Sequence, residues 1–273
     1  LQSNGTVTIG NSTVTGNVTI NDVDLSGETF NLTVQGGNPT FTGNLNLPNN
    51  LNVTATTGDI SQNSGTVTVT GGTTLNANGN DITLNNANDF STVVANGRDV
   101  TLNDTNEIVL GASTITGTLD VTAGGNITDS GNLTVTGETT LNANGNDITL
   151  NNANNFSTVV ADGANVTLND SNEIELGTSD ITGNLEVTAT DVTINGTVAA
   201  GNATFQPTDS TSTIGIGDSA TGDFNLNTTE LSNLQSNGTV TIGNGTVTGN
   251  VTINDVDLSG ETFNLTVQGG NPT

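Results

Sequence analysis

The sequence predicts an all-β parallel solenoid with three short strands and about 22 residues per coil. Three observations point there. The chain repeats itself on two scales: Leu75–Phe90 (LNANGNDITLNNANDF) returns as Leu141–Phe156 (LNANGNDITLNNANNF), and residues 1–40 return as residues 234–273 with Ser12 replaced by Gly245. Within the repeats, β-branched residues alternate with Thr in short bursts, as in Thr66-Val-Thr-Val-Thr70. The bursts follow one another closely, with centres at Val67, Leu75, Ile82, Val94 and Val100 for example. That spacing is too short for the strands of hairpin meanders. Three such steps make one coil, and three coils fill one 66-residue repeat.

Taken in order, residues 3–20 show the local pattern. Val7 and Ile9 alternate with Thr6 and Thr8, and Val18 and Ile20 flank Thr19. This is the period-two signature of a strand with one buried face. Gly5, Gly10 and Gly16 end the bursts as turns would. Asn-Gly pairs at Asn4, Asn78, Asn96, Asn144, Asn195, Asn237 and Asn244 predict further turns at positive φ. Residues 34–63 and 196–233 are less regular and predict looser coils or extruded loops. The 66-residue repeats occupy about 64–129 and 130–195. Nothing has a helical period, and Thr, Asn and Gly are poor helix formers. The expectation is one continuous solenoid over 1–273. It starts and stops inside the same 233-residue repeat, as a section of a longer array would. Leu75 and Leu141, or Phe90 and Phe156, are expected inward at equivalent positions three coils apart. Asn76, Asn86, Asn142 and Asn152 are candidates for side-chain amide ladders along the axis, or simply for turns.

Composition narrows the function classes. The net charge is −26 with a single cation, Arg98, and no His. Nucleic acid needs Lys and Arg for its phosphates, and anionic membrane surfaces need them too, so neither is an expected partner. No apolar run approaches the roughly 20 residues of a membrane span. Thr makes up about a fifth of the chain and Asn about a sixth. Leu, Ile, Val and Phe together reach about a quarter, above the roughly 20% at which disorder is indicated.

Catalysis is poorly supplied, and the chain reads as a non-enzyme. It contains no His, Cys, Lys, Tyr, Trp or Met, so acid–base and nucleophilic work would fall to Asp, Glu, Ser and Thr alone. Arg98, the one residue able to serve a lyase, is Ala164 in the next repeat. No catalytic or cofactor-binding residue is assigned. The weak calcium candidates are Asp22 and Asp24, with their repeats Asp255 and Asp257. They imitate the opening of a helix–loop–helix calcium loop, but position twelve is Thr33 (or Thr266) where a bidentate Glu belongs. The alternative is a strand with Val23 and Leu25 inward and both Asp outward. Non-specific calcium binding by exposed acids needs no built site. Thr-x-Thr pairs suit an ice-binding face only if they recur on every coil, and here they do not. Asn-x-Ser/Thr triplets are frequent and permit glycosylation.

Gly131–Asp170 (GNLTVTGETTLNANGNDITLNNANNFSTVVADGANVTLND) resembles the repeat regions of filamentous-haemagglutinin-like exoproteins, the large bacterial adhesins exported by two-partner secretion. Ser212–Gly243 (STIGIGDSATGDFNLNTTELSNLQSNGTVTIG) is similar to another repeat of such surface proteins. The resemblance implies a right-handed β-helix, an extracellular or bacterial cell-surface location, and a structural shaft serving adhesion, aggregation, biofilm or matrix formation. It carries over no catalytic residue. The expected partners are further repeats of the same chain stacked end to end, laterally associated fibres, and glycans or host and neighbour cell surfaces. The alternatives are a glycan- or calcium-binding solenoid module and, beyond it, an ice-binding or polysaccharide-active protein.

Overall fold

The structure, a computed structural model, describes residues 5–270. It is a parallel β-solenoid whose regular structure is nearly all strand. Among the described residues there is one helix, the short Thr228–Ser232. The chain divides into two compact units at Thr140/Leu141.

In the first unit three strand columns rise in register. One runs Thr8, Thr33, Asn52, Thr74, Val94. A second runs Thr19, Thr40, Ser61, Thr83, Thr101, Asp120. A third runs Asp24, Asn46, Thr68, Asp89. All these pairings are parallel. The columns carry outward residues; their neighbours point in. Leu51, Val53 and Ala55 alternate with Asn52 and Thr54, and the first three are fully buried. Period-two alternation in the sequence thus becomes an interior column in which Leu47, Val69 and Phe90 stack on one another. Each fully buried Leu or Phe contributes about 1.5–3 kcal/mol relative to exposure.

Coil length is not constant. The coil from Asn76 to its partner Asn96 is longer than the next one, from Asn96 to Thr114. The shortening happens at corners. Between Leu84 and Asn88 the chain bulges outward, while their partners Leu102 and Asp104 are separated by Asn103 alone. The strand Ile82–Gly97 bends through those corners and so meets several neighbouring strands. One expectation is corrected by this. Asn76 pairs with Asn96, Asn96 with Thr114, and Thr114 with Thr134. Three coils above Asn76 the chain has therefore reached only Thr134, short of Asn142, its counterpart in the next repeat. Three coils do not fill the 66-residue repeat. Repeat length counts residues; coil length is set by how many of them each corner absorbs.

The second unit climbs Ile148, Val166, Leu185, Ala203, Val240, Leu265. The first three steps are short coils of nearly equal length. The step from Ala203 to Val240 is far longer, because the chain makes an excursion. It lays down strand Ile214–Ile216, then Phe224–Leu226 beside it. The order in this small sheet is Phe224–Leu226, Ile214–Ile216, Val251–Ile253. The later strand therefore lies nearer the preceding coil, where the Asn225 N–H donates to Asp191 Oδ1 at 2.8 Å. Parallel neighbours usually need a crossover of roughly a dozen residues or more. The crossover from Ile216 to Phe224 is shorter, because each strand is very short and Gly217, at φ +101°, reverses the chain. Asn227 caps the helix Thr228–Ser232 with a reciprocal capping box to Glu230, and buried Leu231 pins it. The expectation of loose structure over 196–233 is thereby refined: 198–207 stays within regular coils, and 208–233 holds the excursion.

Of the Asn-Gly pairs, only Asn78 and Asn144 take positive φ, at 49° each. Asn96 is corrected from turn to strand, paired with Asn76 below and Thr114 above. Asn4 lies outside the described residues.

Candidate functional site

The residues that carry chemistry fall into three groups: corner Asx residues, interior acids, and the edge whose sequence occurs twice. The corner residues come first because they explain most of the Asp and Asn. At a corner the strand ladder breaks, and a backbone N–H needs another acceptor. In the first unit Asp59 Oδ1 accepts from Asp81 N (3.1 Å), Asp81 Oδ1 from Asp99 N (3.3 Å), and Asp99 Oδ1 from Thr118 N (2.9 Å). In the second, Asp147, Asn165 and Asn202 make the corresponding bonds to Asn165, Asn184 and Thr239 at 3.0, 3.1 and 2.8 Å. At each of these six steps a side-chain oxygen accepts from the backbone of the next rung. This is not the side-chain amide ladder expected at Asn76, Asn86, Asn142 and Asn152: most acceptors are carboxylates, and the donors are backbone N–H groups. Asn76 and Asn142 instead close local turns, accepting from Asn78 N and Asn144 N at 3.0 and 2.8 Å. Asn86 donates to the Gly65 carbonyl at 3.1 Å, and Asn152 has partners of its own. The ladder's sequence signal is an Asx immediately before a strand-opening apolar residue, once per coil: Asp59-Ile60, Asp81-Ile82, Asp99-Val100.

Arg98 belongs to this ladder. Its Nη2 lies 2.6 Å from Asp81 Oδ2 and its Nε 3.2 Å from Asp99 Oδ2. Hydrogen bonding to Asp81 and the two carboxylates hold its pKa above the usual value. The Thr118 N–H chiefly, with Arg98 assisting, holds Asp99 below the carboxylate norm. In the next repeat the pair becomes Ala164 and Asn165. The cation disappears where the second acid does, which identifies Arg98 as a local charge partner for stacked carboxylates.

The interior acids are Asp104 and Asp170, 2% and 0% exposed. They sit at the bulged corner. Asp104 Oδ2 accepts from Phe90 N at 2.6 Å and Oδ1 from Asn106 N at 3.0 Å; Asp170 repeats this with Phe156 N and Asn172 N at 2.7 and 2.9 Å. Burial outweighs these bonds and pushes both carboxyls upward, Asp170 to about 6. Below Asp104, Asn88 and Gln62 exchange reciprocal amide bonds at 2.7 and 3.0 Å. Every one of these groups is engaged with the backbone or with a neighbouring amide, which suits closure of a corner. Sequence reading missed them because Asp104 and Asn88 look like any other Asx in a chain so rich in both.

The calcium candidates do not converge. Asp22 and Asp24 are exposed, as are Asp255 and Asp257. Asp22 Oδ1 accepts from Asn44 N at 3.0 Å; Asp24 and Asp257 cap Ser26 N and Ser259 N at 3.0 and 2.9 Å. Asp22 and Asp255 adopt φ of 49° and 59°. Among the described residues no group of three acids is placed to hold a metal ion. Val23 and Leu25 point instead into an apolar cavity of about 240 Å³ that Val7, Ile9, Ile20 and Phe30 also line.

That cavity lies on the repeated edge. A family model described as repeats of unknown function (DUF5649) matches residues 29–96, 97–162 and 163–216. No curated protein and no solved structure matches the chain. Among the described residues no helix is long and apolar enough to cross a membrane.

Proposed function

We propose that this chain, which belongs to the DUF5649 family of repeats, is a section of the structural shaft of a secreted or cell-surface bacterial adhesin or fibre. One observation carries the reading. Thr6 pairs with Asn31 at the start of the chain, and their repeats Thr239 and Asn264 pair with each other near its end. The duplicated segment thus pairs with itself in the same register at both occurrences, which is what adding 233-residue repeats in tandem would require. The mechanism is mechanical: rungs bond along the axis, apolar columns fill the interior, and a net charge of −26 keeps the flanks soluble and apart. Adhesion, aggregation or matrix formation would follow from projecting the parts of a longer protein away from the cell. Electron micrographs of the intact protein test this, together with antibody labelling of unpermeabilised cells. Long thin rods and surface label are expected. Globular particles, or label only after permeabilisation, would overturn it.

A further inference from the structure

We propose that the step from strand Asp191–Ile194 to the excursion at 208–233 is a seam that acid closes and neutral pH loosens, worked by Glu173, Asp191 and Glu230. The stacking changes character at this step. Strands Glu173–Leu176 and Asp191–Ile194 pair in full register, Glu173 against Asp191 and Leu176 against Ile194. Phe224–Leu226, which packs on Asp191–Ile194 next, belongs to the separate three-stranded sheet. Side chains tie the two together. Asp191 Oδ1 accepts from the Asn225 N–H at 2.8 Å and from the Val192 N–H at 3.0 Å. Asn233 Nδ2, just past the helix, donates to the Ile194 carbonyl at 2.7 Å. A step held through side chains opens locally at lower cost than a continuous backbone ladder.

Three carboxylates meet at this step, two from the strands and one from the helix. Glu173 and Asp191 lie on neighbouring rungs, and Glu230 comes from the helix that packs on Asp191–Ile194. Glu173 is exposed, while Asp191 and Glu230 are half-buried. Phe224–Leu226 carries no titratable side chain, and Glu175, further along the first strand, stands opposite Thr193. The chain's one Arg or Lys is Arg98, engaged by Asp81 and Asp99, so no Lys or Arg neutralises the three. Burial first, then Glu173, pushes the Asp191 carboxyl above the carboxylate norm. Burial first, then Asp191 and Glu173, does the same at Glu230. A raised folded pKa gives stabilisation that is complete below the unfolded value and is lost as pH rises through the folded one. The seam is therefore tightest in acid. As it loosens, Phe224, Leu226 and Leu231, all buried when it is closed, become accessible. The device lies within one step of the coil and stands whether or not the chain is a surface shaft.

Hydrogen exchange on the full chain, expressed as protection relative to the intrinsic rate at each pH, tests this. Between pH 4 and pH 7, protection at 224–231 is expected to fall about tenfold more than at 185–189 and 203–205, rungs of the same unit. Asp191→Asn and Glu230→Gln keep the acceptors that Asn225, Val192 and Asn227 use while removing the charge. With Glu173→Gln added, the extra fall is expected to vanish. Glu173→Gln alone, at an exposed position, is expected to raise protection of 224–231 at pH 7 and leave it unchanged at pH 4. Asp170→Asn, in the interior, is expected to leave the extra fall in place. An equal fall across the unit would overturn the proposal. So would an extra fall that survives the triple substitution or disappears in Asp170→Asn, or a Glu173→Gln chain that behaves as the parent does.

Discussion

Residues 5–37 and 238–270 are one sequence in two settings. In the first, Ile20, Phe30, Leu32 and Val34 are buried, and Val7 and Ile9 are not. In the second the pattern inverts: Val240, Ile242, Val247 and Val251 are buried, and Ile253 is 42% exposed. Even the strand assignment differs. Val23–Asp24 is a strand, paired with Leu45 and Asn46 above it; Val256 and Asp257 have no such rung and form no strand. What differs is the rung next door. In a solenoid a residue's burial belongs to the pair of neighbouring coils, because the backbone bonds that fix a strand are almost all made to other rungs.

The sharpest way to break the comparison is to truncate side chains in pairs. Ile242→Ala is expected to destabilise the second unit by roughly 2–5 kcal/mol, and Ile9→Ala the first by less than about 1 kcal/mol. The reciprocal pair, Phe30→Ala against Phe263→Ala, is expected to show the opposite ranking, since Phe30 is 2% exposed and Phe263 is half-buried. Hydrogen exchange, which reports each rung separately, is the measurement; equal costs within either pair would refute the neighbour-rung account.

Next in size is the pH response of the second unit. Asp170 has a folded pKa raised from 3.8 to about 6. Its stabilising contribution is therefore complete below pH ~4 and is lost as pH rises through about 6, on the order of 1–2 kcal/mol after allowance for solvent screening. Urea midpoints measured between pH 4 and 7 should fall in the parent and flatten in Asp170→Asn. A midpoint that rises over that range, or an unchanged slope in the variant, would contradict this.

Other positions should not distinguish the two settings. Gly10 and Gly243 have φ of +80° and +81°, and a Cβ at either would collide with the carbonyl of its own segment, Gln35 or Gln268. Gly10→Ala and Gly243→Ala are each expected to cost about 1–3 kcal/mol, equally within error, by thermal unfolding. The smallest effect is expected at Arg98. Arg98→Ala should leave the unfolding midpoint near that of the parent at high salt and lower it at low salt, where the stacked Asp81 and Asp99 repel most strongly. An Asp99→Asn partner substitution, which copies the next repeat, should remove that salt dependence.

Much of the fold was legible because alternation and repetition are one-dimensional properties. The Val-Thr-Val bursts fix which side of each strand is apolar, and repetition on two scales fixes a stacked architecture. Two readings failed for the same reason. Asn96-Gly97 looks like a turn but is held in a strand by rungs on both sides. The coil count per repeat was off because the corner from Leu84 to Asn88 absorbs more of the chain than the one above it, from Leu102 to Asp104. The corner ladder was readable in principle, as Asx before an apolar residue once per coil, but only after corners are located does that dipeptide stand out.

By itself the sequence determined the class of object: short β-branched strands, an acidic exterior, a composition without His, Cys, Lys or Tyr, and a repeat that returns all but unchanged. Tertiary structure alone decided which acids are interior, where coils contract, that Ile214–Ile216 is laid down before the rung beneath it, and which half of a duplicated segment is buried. Those properties depend on contacts between residues far apart along the chain. Identical local sequence places no constraint on them, since each rung takes its surroundings from the coils stacked against it.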